Sequence, residues 1–352
     1  MDSRIPEGGK VRFPAFLPAL AGAAVSVGLS RSGFFGFLFL LPLGVNAFCF
    51  SPASSRLCAF FAVLGNGLFA LWAGVFLRLP SAAVIPDLVY FTVVIAGFTW
   101  VAAPSSRLPA FLRPRAAYRL VASSVAGALA FLVCASGTDS GVLAMIRSQA
   151  ELFVSLYSAS AGADVVEQSL SAQYISVDNI VAVIKAAGLR GGVVSSCMLL
   201  LFVSRQLSFG IARIARKPCP DGGLIGFRTS SRQIWALSFS LAGVLASLAL
   251  GAGPFARNAA FFAEIASWNV LVICVMLYLV QGGAILLYWY SRWVMPPFFR
   301  FFLNLLLIIV VFSPGLNVVL LAVLILLGIA ENWIPLRVSG TNGSSSTPGV
   351  GE

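Results

Sequence analysis

Nine stretches of this chain carry no charged side chain: 13–30, 32–55, 57–77, 88–106, 120–138, 191–204, 233–256, 265–291 and 301–330. A bilayer's hydrocarbon core is about 30 Å thick, and about 20 mostly apolar residues cross it as a helix. Backbone polar groups find no water there, so only helices and closed barrels span it. Continuous apolar runs of this length, without strand-like alternation, select the helix. The expected fold is all-α: a polytopic transmembrane helical bundle of about nine or ten spans. The run 191–204 is short, but Arg190 and Arg205 can snorkel to the two interfaces. The run 301–330 would measure about 45 Å as one helix. It contains Ser313-Pro314-Gly315, a helix breaker, and reads as two short spans or a re-entrant pair.

Composition agrees. Charged residues make up 10% of the chain and hydrophobic ones 59%, whereas a soluble domain carries about 25% charge to keep its surface wet. The net charge of +11 sits in the short segments between apolar runs, which points to membrane topology rather than nucleic acid. With a cytoplasmic N-terminus and alternating spans, sixteen Lys and Arg residues fall on the inner side and six on the outer, with Arg337 left in the tail. The positive-inside bias places the N-terminus on the cytoplasmic side. The first run follows Lys10 and Arg12 and is rich in alanine, as a signal peptide would be. It ends in Gly28-Leu29-Ser30-Arg31 without a small-residue cleavage site, so it reads as a retained span.

Four regions follow. Residues 1–135 form an N-terminal five-span region and 136–190 an extracytoplasmic loop. Residues 191–337 form a second membrane region of four to five spans, and 338–352 a Gly-, Ser-, Thr- and Pro-rich disordered tail. In the loop, Val142, Met145, Ile146, Leu152, Phe153 and Leu156 share one helical stripe. Val177, Ile180, Val181 and Ile184 share another, with Ser176 as N-cap and Gly188 as stop. Two amphipathic helices on the outer surface are expected, as a structural lid or a substrate gate. The basic inner segment with Arg213, Arg216, Lys217, Arg228 and Arg232 fits anionic head groups or a cytoplasmic partner.

The chain contains no histidine, the commonest general base and metal ligand near neutrality. The six cysteines form no CxxC pair and read as small buried apolar residues. The glycine-rich Asp221-Gly222-Gly223-Leu224-Ile225-Gly226 lacks the Gly-Lys-Ser/Thr ending of a P-loop. No nucleophile–base pair can be assembled, so no catalytic residues, metal site or cofactor are expected. Intramembrane polar groups are costly and mark function or interhelical bonding. Asp87 and Glu264 map towards the outer leaflet and could line a polar pocket, though Glu264 could equally pair with Arg257. Asn46, Asn66, Asn269, Gln281 and Asn304 lie at membrane depth. Asp87, Glu264 and Gln281 are the ligand-binding candidates.

Leu279-Val280-Gln281-Gly282-Gly283-Ala284, an aromatic-rich helix to Trp293, and the ending Leu327-Gly328-Ile329-Ala330-Glu331-Asn332-Trp333-Ile334-Pro335-Leu336-Arg337 resemble the YybS-like bacterial membrane proteins, a family of unknown function. Gln281, Gly282, Gly328, Glu331 and Arg337 are the matching positions, with Glu331 in place of the family's usual Asp. The likeness covers about 70 residues. That family is distantly similar to the substrate-binding components of energy-coupling-factor transporters. The series Ala15, Ala19, Ala23 is similar to the small-residue helix those components present to a coupling protein. The resemblance implies a bacterial inner membrane and, at the level of fold, transport. The expected function is recognition of a small solute within the bundle, with the bilayer and a coupling or cytoplasmic protein as partners. The alternative is a non-enzymatic scaffold of the envelope; an enzyme of lipid-linked substrates comes third.

Overall fold

A computed structural model describes residues 16–32, 35–76, 81–103, 116–137, 141–161, 176–217, 224–249, 257–313 and 315–337. No strand occurs among them, and the protein is an all-α, polytopic helical bundle. The elements are α1 (Phe16–Arg31), α2 (Leu41–Val45), α3 (Pro52–Phe76), α4 (Ser81–Ala102), α5 (Ala116–Gly137) and α6 (Gly141–Ala161). They continue with α7 (Val177–Ala187), α8 (Val193–Ile214), α9 (Gln233–Ala249), α10 (Arg257–Arg292), α11 (Pro297–Phe312) and α12 (Leu316–Ala330).

Each apolar run is helical, but length separates them. Five helical stretches are long and apolar enough to cross a membrane, or six if the bent pair α11–α12 counts as one span. The remaining apolar helices, Phe16–Arg31, Gly36–Phe50 and Gln233–Ala249, are shorter. A 16-residue helix reaches about 24 Å, less than the hydrocarbon thickness. This is why counting runs yields nine or ten and counting full-length helices yields fewer. The run 32–55 is also interrupted. A 3-10 turn, the five-residue α2 and a π-helical turn replace one continuous helix. The run 301–330 breaks where expected: α11 and α12 diverge by 107°, and Gly315 takes φ +90° at the turn.

The chain divides into two compact units. One comprises Met1–Gly223 and Trp235–Cys274; the other comprises Leu224–Ile234 and Val275–Glu352. This differs from a division at the outer loop, because α8 packs back onto α5 and α2. In the first unit α1 packs on α3, and α4 on α5 and α3. Small residues allow these approaches. Ala19, Ala23 and Ser26 form a buried stripe on α1, and Gly97 of α4 lies against Ser123 of α5. The face expected to meet a coupling protein is thus used inside the unit at Ala19 and Ala23; Ala15 lies outside the described residues. Arg119 is the largest fully buried side chain. It donates to the carbonyls of Trp100 (3.0 Å) and Ala103 (2.6 Å) at the end of α4, which have no intrahelical partner.

The two amphipathic helices form as α6 and α7. Ser176 caps α7, its hydroxyl accepting from the Asn179 N–H at 3.2 Å, and Arg147 of α6 pairs with Asp178 of α7 at 2.8 Å. Gly188 ends α7, but the chain continues through a π-helical turn into α8, with a kink at Arg190 and Gly191. Leu152, Phe153 and Leu156 are exposed, leaving that stripe free to face lipid. The side chains of Val142 and Met145, the residues Asp221–Gly223 and the tail from Val338 lie outside the described residues.

Candidate functional site

The three candidate residues occupy three different settings. Asp87 closes the second turn of α4. Its carboxylate accepts a 2.5 Å bond from Arg31, the last residue of α1. The same guanidinium donates to Asn66 of α3 and lies 4.8 Å above the Phe69 ring. Asn66 is fully buried, and its amide nitrogen has no partner among the described residues. Charge on Asp87 is thereby neutralised locally, as an ion at membrane depth requires.

Beside this pair lies a cavity of about 600 Å³ in the first unit. Its wall is built from Phe37 and Phe39 after α1, Tyr90 and Phe91 of α4, and Leu199, Leu200 and Val203 of α8. Ser30, Asp87, Ser196 and Ser204 are its polar lining. On α8 the lining residues fall at positions 196, 199, 200, 203 and 204, the spacing of a single helix face, which covers about 12 Å of axis. Phe39 and Phe91 stack at 5.0 Å between ring centroids. The volume lies within the roughly 300–1,000 Å³ of small-molecule sites, and the mix of apolar walls with few polar groups is the usual one.

Glu264 does not line this cavity. It pairs with Arg190 at the α7–α8 kink, 2.7 Å away. Asn269, one helical turn or so further along α10, donates to the Leu189 carbonyl at 2.7 Å. Gly191, at φ +111°, faces Val272 so closely that an added Cβ would lie 2.8 Å from a methyl group. These contacts tie the kink to α10 and employ Glu264 and Asn269 as fasteners.

Gln281 belongs to the second unit. Its amide oxygen accepts from the Thr229 N–H at 3.0 Å and from the Thr229 hydroxyl. Its amide nitrogen donates to Glu331 at 2.9 Å. Glu331 in turn receives two bonds from Arg337, at 2.6 and 2.5 Å. Arg337 also donates to the carbonyls of Ile225 (2.6 Å) and Phe227 (2.9 Å), and Arg228 donates to the Arg337 carbonyl at 3.1 Å. Glu331 and Arg337 are 5% and 4% exposed at their side chains. The network clasps the segment 224–229 to the chain's last described turn. Gly282 and Gly328 let α10 and α12 cross at this point, Gly282 meeting the Leu324 backbone and Gly328 the Tyr278 backbone. All five positions that carry the family resemblance therefore converge on one buried cluster.

Sequence reasoning overlooked Arg31 and Thr229. Arg31 looked like a loop charge, and Thr229 is an ordinary polar residue beside a basic one. No local pattern marks either, because their partners are remote in sequence. No protein-family model, no curated protein and no solved structure matches the chain. The YybS-like resemblance rests on Gln281, Gly282, Gly328, Glu331 and Arg337 alone.

Proposed function

We propose that this multi-pass membrane protein recognises a small, largely apolar solute in the cavity beside Asp87. The observation that carries the reading is the cavity itself: about 600 Å³ of space inside a unit whose helices otherwise pack through small residues. Of the three candidates, Asp87 alone lines that space. The amide of Gln281 and the carboxylate of Glu264 are engaged by protein groups and are read here as structural. The reading is non-catalytic and transport-related, with the N-terminus in the cytoplasm of the plasma membrane by the positive-inside distribution. Membership of the YybS-like family is part of the proposal. A coupling protein would dock elsewhere than on Ala19 and Ala23; exposed Arg213 and Arg216 at the end of α8 supply a basic inner surface for one.

The scaffold reading draws its support from the second unit. The helix α11 has no fully buried residue, so most of its apolar surface is free for lipid or for a partner's helix.

The test is native mass spectrometry of the protein purified in detergent, comparing wild type with Leu200→Trp, which fills the cavity. A small molecule retained by the wild type and absent from the variant is the expected result. Loss of the solute reading follows if the wild type carries none, or if both proteins carry the same one equally.

A further inference from the structure

The cavity has a direction. Its floor is buried: Ser204 is 2%, Phe91 5% and Phe39 6% exposed. Its mouth is not: Phe37 is 56%, Leu199 54% and Val203 36% exposed. Leu199 and Val203 belong to a stretch long and apolar enough to cross the membrane, where an exposed side chain meets hydrocarbon. A mouth so lined would open sideways into lipid, and a molecule dissolved in the bilayer would enter without passing through water.

The floor asks for a hydrogen-bond partner. A serine within a helix ordinarily returns its hydroxyl to the carbonyl four residues back. On this same helix Ser196 does so to Gly192 and Ser208 to Ser204, each at 2.7 Å. Ser204, between them and 2% exposed, lines the cavity, and its hydroxyl does not make that return bond. A hydroxyl that lines the cavity and is not spent on its own helix can donate to an acceptor on a ligand there. The acceptor must be neutral, since no charged side chain lines the floor and an anion there would be stripped of water. The Arg31 guanidinium beside Asp87 is held there by Asp87 and Asn66. In the same cavity the stacked rings of Phe39 and Phe91 offer an aromatic wall for a flat head group.

Building on the solute reading above, we infer that the cavity takes a neutral, membrane-dissolved lipophile with a carbonyl-bearing head. Its carbonyl accepts a hydrogen bond from Ser204, its flat head lies against Phe91, and its hydrocarbon chain leaves past Leu199 and Val203 into the bilayer. Isoprenoid quinones are the type of molecule that meets all three conditions. A fatty acid meets only the last.

The full-length protein in detergent is titrated with a short-chain ubiquinone and, separately, with oleic acid, bound stoichiometry being read by native mass spectrometry. Size-exclusion profiles establish that each variant is folded. The quinone binds wild type one to one and binds Ser204→Ala about tenfold more weakly, the loss of roughly one hydrogen bond. Ser196→Ala, whose hydroxyl is already satisfied within the helix, binds as wild type does. Equal quinone affinity in wild type and Ser204→Ala overturns the inference, as does one-to-one binding of oleic acid with none of quinone; both leave the cavity reading in place. Failure of wild type to bind either lipophile, or undiminished binding by Leu200→Trp, overturns the inference and the cavity reading together.

Discussion

Glu331 and Arg337 show how an ion pair is kept in an apolar protein. Both are buried, the guanidinium grips the carboxylate with two nitrogens, and the remaining donors find backbone carbonyls and the remaining acceptor finds Gln281. A pair so completely matched is stable as a unit, and removing one member strands the other. Glu331→Ala and Arg337→Ala are each expected to destabilise the protein by about 3–5 kcal/mol, and the double substitution by less than their sum. Thermal unfolding of the four proteins in detergent measures this; strict additivity would show that the two residues act independently. Gln281→Ala removes a bridge between two neutral or charged partners and is expected to cost less, about 1–3 kcal/mol. If Gln281 were instead a solute ligand, its loss would leave stability unchanged and abolish binding.

At the scale of elements, two glycines decide how helices meet. Gly191 sits at φ +111° in the kink between α7 and α8 with Val272 against it. Gly191→Ala adds backbone strain of about 1–3 kcal/mol and presses a methyl group into Val272, so a lower unfolding temperature is expected. Gly282 keeps ordinary helical geometry and is required for a different reason: a Cβ there would overlap the Leu324 carbonyl of α12. Gly282→Ala forces the two helices apart, an overpacking cost of about 1–3 kcal/mol. Gly283, its neighbour, faces open space, and Gly283→Ala should be neutral or slightly stabilising through helix propensity. Equal losses at positions 282 and 283 would mean that the crossing does not depend on close approach.

For the whole molecule, the arrangement of charge sets an orientation that can be tested from outside the cell. On the proposed orientation, with the N-terminus inside, α6 and α7 are expected outside and the end of α8 inside. In a background where other cysteines are replaced, a cysteine at Ser155, exposed on α6, is expected to react with a membrane-impermeant maleimide in intact cells. A cysteine at Arg213 should react only after the cells are opened. The reverse pattern would invert the topology and place the mouth of the cavity in the other leaflet. Fold class, most helix positions and the Ser176 cap were legible in the chain, because each depends on hydropathy or on residues within a turn of one another; the breaks within 32–55 were not. The candidate site was legible only at Asp87. Its partner Arg31 and the serines of α8 are drawn in by packing between helices distant in sequence.

Sequence alone determined that this chain lives in a bilayer as helices, since 59% hydrophobic residues with 10% charge place it in lipid, where only helices and closed barrels satisfy the backbone, and its long continuous apolar runs select helices. It also determined the break at Ser313–Gly315 and the end of α7 at Gly188, because those signals act locally, whereas the interruptions within 32–55 came from the folded structure. Only the tertiary structure decided which polar groups are spent on the fold and which face a cavity. Gln281, Glu264 and Asp87 look alike as isolated polar residues in apolar runs. Hydrogen bonding is saturable and directional, so a side chain's role depends on whether another group already fills it, and that is a property of the assembled bundle.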